Sequence, residues 1–132
     1  MKYCIDTWFI LKLFEKDIKA VNLLQEVRYG KSKFVLPISV YAESFKKLLQ
    51  KGISQKDLEE FFSSIESIKI EILLIDKIMA KEAAKISLSN DLSMMDSFVA
   101  TSCNLSNCDV LLAADSDYDL LIKKKYLKLQ SW

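Results

Sequence analysis

The sequence predicts an α/β fold: a three-layer arrangement with a central, mostly parallel sheet of four to five strands and helices on both faces. Three observations predict it. Four short apolar runs, at residues 1–5, 33–37, 68–75 and 109–113, are separated by longer stretches with helical periodicity. The runs are continuous rather than alternating, as in strands buried on both faces. Strand alternating with helix calls for crossover connections, and hence for parallel pairing. The 132 residues, 51% of them hydrophobic, make one domain over residues 1–132 with enough apolar material for a sizeable core.

Each element has a local reason. Met1 to Ile5 is an apolar strand ending on Asp6. From Thr7 to Glu15, Trp8, Phe9, Leu11, Leu13 and Phe14 suit a short amphipathic helix. A second helix runs from Asp17 or Ile18 to about Tyr29, with Gly30 as its stop. Lys33–Pro37 is the second strand, and Ser39 is expected to cap a helix that reaches about Lys51 and stops at Gly52. Ser54 begins another helix, Gln55 to about Ser64. Ile68–Ile75 is the third strand. Asp76 caps a helix to about Ser89, a loop covers Asn90–Ser93, and Met94–Cys103 is helical. Asp109–Ala113 is the fourth strand, Asp115-Ser116-Asp117 a polar turn, and Tyr126–Leu129 a short edge strand. Lys123-Lys124-Lys125 is the only charge run and reads as a solvated turn.

Composition removes several chemistries. There is no histidine, so His general acid–base catalysis, the Ser-His-Asp triad and His-ligated zinc are excluded. The net charge of +1 supplies no global field for nucleic acid, and Arg28 is the only arginine. Cys4, Cys103 and Cys108 form no C-x-x-C pair. They read as reduced, mostly buried thiols, too scattered for a tetrahedral zinc site, in a cytoplasmic protein. Asp6 interrupts the only candidate signal segment, and no apolar run approaches the ~20 residues of a membrane span. An enzyme built from this inventory runs on carboxylates.

Five acids are the candidates, each with a plainer reading beside the functional one. Asp6 follows a strand and precedes a helix, where it caps the helix or serves a site at the strand's carboxyl end. Glu43 misses a capping box begun at Ser39 by one residue and can pair with Lys47 at i+4. Asp96 completes a Ser93-x-x-Asp96 capping box, yet shares a helical stripe with Ala100 and Cys103 that faces packed protein. Asp115 and Asp117 flank Ser116 after the fourth strand, one acid more than a single cap requires. Topology joins them: Asp6 and Asp115 end strands of one parallel sheet, and Glu43 and Asp96 lie near helix starts. Acids crowded on one rim raise each other's pKa, and a hard divalent cation relieves them. Oxygen-only ligands select Mg²⁺ or Mn²⁺.

Asp6, Ser39-Val40-Tyr41-Ala42-Glu43, Met95-Asp96-Ser97-Phe98-Val99-Ala100-Thr101 and Leu111-Leu112-Ala113-Ala114-Asp115-Ser116-Asp117-Tyr118, in this order, resemble the PIN-domain ribonucleases, above all the VapC-type toxins of toxin–antitoxin pairs. The resemblance runs the length of the chain. It implies that Asp6, Glu43, Asp96 and Asp115 are catalytic acids, that the same four with Asp117 hold Mg²⁺ or Mn²⁺, and that the reaction is hydrolysis of RNA phosphodiester bonds. Lys12, Lys46 and Lys47 would meet the phosphate backbone. It further implies a homodimer and a small antitoxin across a groove near the first helices, with Trp8, Phe9, Leu13, Phe61 and Phe62 as apolar surface or as ordinary core. Two departures stand out: Ala113 where the family commonly has Thr, and Tyr118 where Phe is common.

Other readings share these residues. One is an RNA-processing nuclease of the same fold without a toxin role, and another a catalytically weak binding module, hinted at by Ala113. The third, weaker, is a phosphoacceptor receiver domain built on Asp6, Asp76 and Lys128. It lacks the acidic pair expected after the first strand and leaves Glu43 and Asp96 idle.

Overall fold

The computed structural model describes residues 1–114 and 116–132. Its elements are β1 (Lys2–Ile5), α1 (Thr7–Phe14), α2 (Ile18–Arg28), β2 (Lys33–Pro37), α3 (Ile38–Gln50), α4 (Gln55–Glu66), β3 (Glu71–Leu73), α5 (Lys77–Asn90), α6 (Met94–Leu105), β4 (Val110–Leu112), a 3-10 turn (Ser116–Tyr118), α7 (Asp119–Lys123) and β5 (Leu129–Gln130). The sheet has the order β3-β2-β1-β4-β5, and every pairing is parallel. Helices cover both faces, giving the three-layer α/β/α architecture.

This order fixes where a site can form. β1 is central: Cys4 is in register with Val35 of β2 on one side and with Leu111 of β4 on the other. The chain winds outward from β1 through β2 and β3, then returns to its other side for β4 and β5. The reversal opens a crevice beyond the carboxyl ends of β1 and β4, where ligands bind in open α/β sheets. The core is the reason for the winding. Cys4, Ile5, Val35, Leu36, Leu111 and Leu112 are fully buried, as continuous apolar strands between two helical layers must be.

Most ends are set by local chemistry. Asp6, Asp17, Ser54, Asp76 and Ser93 each accept a backbone N–H at a helix start. Gly30 closes α2 at φ +78°, letting Lys31 N–H reach Glu26 C=O at 2.8 Å. Three expectations are corrected. Ser39 does not cap α3: the helix starts at Ile38, Pro37 holds the cap position without a side-chain bond, and Ser39 is buried. Pro37 presets the φ and lacks the N–H that would otherwise need a partner. Glu43 lies in the second turn of α3. The third strand is three residues, Glu71–Leu73, because Ser67, Ile68 and Lys69 stay bonded to the end of α4 and Lys69 turns at φ +63°. The final strand is Leu129–Gln130, displaced toward the C-terminus of the predicted one, and the short α7 precedes it.

Of the five apolar residues expected near the first helices, Phe9, Leu13 and Phe62 are ordinary core. Trp8 and Phe61 are half-buried, Trp8 edge-on to Trp132 at 5.0 Å and Phe61 in contact with Phe14 at 5.2 Å. Among the described residues no helix is long and apolar enough to cross a membrane.

Candidate metal centre

The crevice at the strand reversal is a cleft of about 570 Å³ lined by Asp6, Glu43, Asp96 and Asp117, with Lys47, Thr7, Ser93, Trp8, Leu11, Met95 and Ala114 as the rest of its wall. Four elements supply the acids. Asp6 ends β1 and begins α1, Glu43 comes from α3, Asp96 from the first turn of α6, and Asp117 from the turn after β4. Asp115 lies outside the described residues.

The plain readings and the convergence hold together rather than competing. Asp6 does cap α1: its Oδ1 accepts the Thr7 N–H at 2.8 Å. Its Oδ2 points the other way and accepts from the Tyr118 hydroxyl at 3.3 Å. Ser93 does cap α6, its Oγ accepting the Asp96 N–H at 3.1 Å, while Asp96 Oδ1 lies 3.2 Å from the same Tyr118 hydroxyl. Glu43 makes the i+4 pair with Lys47 at 3.1 Å, and both side chains line the cleft. Lys12 instead sits over the Trp8 ring at 5.9 Å, and neither it nor Lys46 is part of the cleft wall.

Charge is held here at a cost. Burial, the first cause, with Asp96 and Glu43 nearby, pushes the Asp6 carboxyl up to about 6, although the bonds from Thr7 and Tyr118 pull the other way. Tyr118 is fully buried, and its phenol is raised far beyond its usual range by that burial and by the two carboxylates, so it stays a donor. A hydroxyl has one proton to give. Tyr118 therefore divides one proton between Asp6 and Asp96 and cannot give each a full hydrogen bond.

The profile of the PIN domain family matches residues 3–124. The chain belongs to the PIN domain family. The fold is also similar to chains of solved toxin–antitoxin complexes. The first is VapBC2 from Rickettsia felis bound to a DNA fragment from its promoter: TM-score 0.78, 14% identity, 100% of this chain and 99% of that one covered. The second is VapBC-1 from nontypeable Haemophilus influenzae: TM-score 0.67, 20% identity, 100% and 98% covered. The third is a toxin–antitoxin complex from Klebsiella pneumoniae: TM-score 0.66, 14% identity, 88% and 89% covered. A comparison with curated proteins finds no match.

PIN-domain nucleases depend in general on a divalent metal, and the donor set here fits such an ion. It consists of carboxylate oxygens without His or Cys, as hard cations require. Asp6 carries an unfavourable buried charge that a cation would relieve. The Thr7 hydroxyl on the cleft wall is buried and has no hydrogen-bond partner among the described residues. The acids are nevertheless not drawn tightly together. Among the described residues, the one group of three or more such side chains with ligand atoms all within 4.8 Å of one another is Cys4, Cys103 and Cys108.

The sequence reading missed two things here. Tyr118 counted only as a variant of Phe, yet its hydroxyl stands between two acids; an extra polar atom at a core position was the available signal. The cysteines are not scattered, as expected, but meet at one point. The receiver reading fails on geometry: Asp76 follows the edge strand β3, accepts the Met79 N–H at 2.8 Å as a cap, and is not part of the cleft.

Proposed function

We propose that the whole chain, residues 1–132, acts as one metal-dependent ribonuclease unit, the toxin of a toxin–antitoxin pair. The observation that carries this reading is the arrival of Asp6, Glu43, Asp96 and Asp117 in one cleft from four separate elements. No single cap or ion pair would require that meeting. Asp6 and Asp96 would hold Mg²⁺ or Mn²⁺, with Glu43, Asp115 and Asp117 completing the shell or orienting the attacking water. The bound ion would supply Lewis acidity at the phosphate and a more acidic water.

The chain's own groups do the rest. The Tyr118 hydroxyl lies within hydrogen-bond reach of one oxygen each of Asp6 and Asp96 and would help position both. Lys47, on the rim, offers charge to a backbone phosphate, and Trp8 and Met95 give an apolar wall against which an unpaired base can lie. Such a wall suits single-stranded or looped RNA better than a stacked duplex. The three neighbours, all toxin–antitoxin complexes, support a small antitoxin as partner; a homodimer is proposed as the working form on the resemblance alone.

The test is cleavage of single-stranded RNA by purified protein with Mn²⁺ or Mg²⁺, with EDTA and Asp6→Asn as controls. Activity is expected to need the ion and Asp6. Cleavage that persists in chelator would overturn the reading. The toxin role is tested separately, by growth arrest on expression and its reversal by the product of an adjacent small gene. Cleavage without arrest would leave an RNA-processing nuclease of the same fold.

A further inference from the structure

We infer that Cys4, Cys103 and Cys108 form a second metal site, a three-thiolate site for a soft cation of the cuprous type, separate from the acidic cleft. Their sulfurs all lie within 4.8 Å of one another. Three sulfurs around one ion at ~2.3 Å would stand about 4 Å apart, so the observed set needs only a small contraction.

The fold builds this cluster from three directions. Cys4 is in the middle of the central strand, fully buried under α6, its Sγ 4.0 Å from the Val99 carbonyl. Cys103 is in the last turns of α6 and is buried. Cys108 is brought back beneath it by the helix end: Asn107 takes φ +54°, and the Cys108 N–H bonds the Cys103 carbonyl at 3.0 Å. Of the three, only Cys108 is partly exposed, so it is the thiol that solvent reaches.

Ligand class follows from what is missing. The chain has no histidine, and the cluster contains no fourth Cys, Asp or Glu among the described residues. The neighbouring Asp109 is turned away, its Oδ2 accepting the Lys2 N–H at 2.8 Å. Zinc in such a place would have to add a water, whereas a cuprous ion is satisfied by three soft sulfurs. Binding forms three metal–sulfur bonds and releases to solvent the protons still on the thiols, without oxidation or reduction. α6 separates the two sites: Asp96 and Cys103 are seven residues apart on one stripe, roughly 10 Å along the axis.

The experiment is an anaerobic titration of the reduced full-length chain with Cu(I) against a chromophoric Cu(I) chelator. One Cu(I) per chain is expected to be withdrawn from the chelator and to protect all three thiols from a thiol reagent. Cys108→Ser and Cys103→Ser, checked for folding by circular dichroism, should each weaken binding by more than about 100-fold. Asp6→Asn and excess Mg²⁺ should leave it unchanged, so failure here is distinct from failure of the nuclease reading. No uptake, equal uptake by Cys108→Ser, a loss confined to one of the two cysteine variants, or displacement of Cu(I) by equimolar Zn²⁺ would each overturn the site.

Discussion

The two ends of α6 make opposite use of the same helical stripe. At its start, Asp96 meets Asp6 and Glu43 in an open cleft; near its end, Cys103 meets Cys4 and Cys108 in a largely buried cluster. The carboxylates stand apart and the thiols crowd. Ionised acids repel, so the rim stays open and a phenol is wedged between two of its members. Sulfur is soft and weakly hydrated, so three cysteine side chains pack with their Sγ atoms inside 4.8 Å. The wider spacing of the acids therefore does not count against them as ligands for a hard cation. The charge that makes the acids good ligands is what spreads them.

The largest expected effect tests whether the two ends are independent. Asp96→Asn should lower kcat/KM for RNA cleavage with Mn²⁺ by more than about 100-fold while leaving thiol reactivity as it was. A change in thiol reactivity would show that the two ends are coupled through α6. Asp6→Asn should give a similar loss together with a higher melting temperature for the metal-free protein at pH 8. Asn caps a helix as well as Asp does, and the substitution removes a buried charge.

Next comes pH. Asp6 titrates at about 6 in the fold, above its ordinary range. The folded state thus holds its proton longer than the unfolded chain does. The stability this contributes is complete below about pH 4 and is lost as pH rises through about 6. Metal binding runs the other way, because the proton competes with the cation. Mn²⁺ affinity should fall about tenfold per unit as pH drops below 6. Calorimetry at several pH values measures it, and a flat profile between pH 5 and 7 would remove Asp6 from the ligand set.

Tyr118→Phe sharpens the contrast by taking away the wedge. The bond it removes lowers the Asp6 pKa, so the midpoint of the Mn²⁺ pH profile should move upward. Thermal or urea unfolding should show a loss of about 1–2 kcal/mol. An unshifted midpoint would mean that the hydroxyl only fills space. The smallest effect is expected from Lys47→Ala. Its ion pair with Glu43 is half in solvent and worth less than about 1 kcal/mol, but the salt dependence of RNA binding should lose about one unit of slope.

Much of this was legible in the chain before any coordinates. Continuous apolar runs marked the central strands, Asp6, Ser54, Asp76 and Ser93 marked helix starts, and Gly30 and Gly52 marked two ends. These are local signals, set by neighbouring residues. The cleft acids could be nominated because parallel pairing sends strand ends to one rim. Ser39 failed as a cap because Pro37, two residues earlier, already satisfied the geometry. Ile68–Ile75 failed as one strand because an apolar run does not reveal whether its first half finishes a helix.

By itself, the sequence determined the class of fold, the absence of histidine chemistry and the carboxylates available for a hard cation. Only the tertiary structure decided which of those acids face one another, that the Tyr118 hydroxyl stands between Asp6 and Asp96, and that Cys4 meets the distant pair Cys103 and Cys108. The physical reason is range. Strand and helix preferences act over a few residues, whereas these meetings depend on strand order and helix docking, which bring together groups up to 112 positions apart.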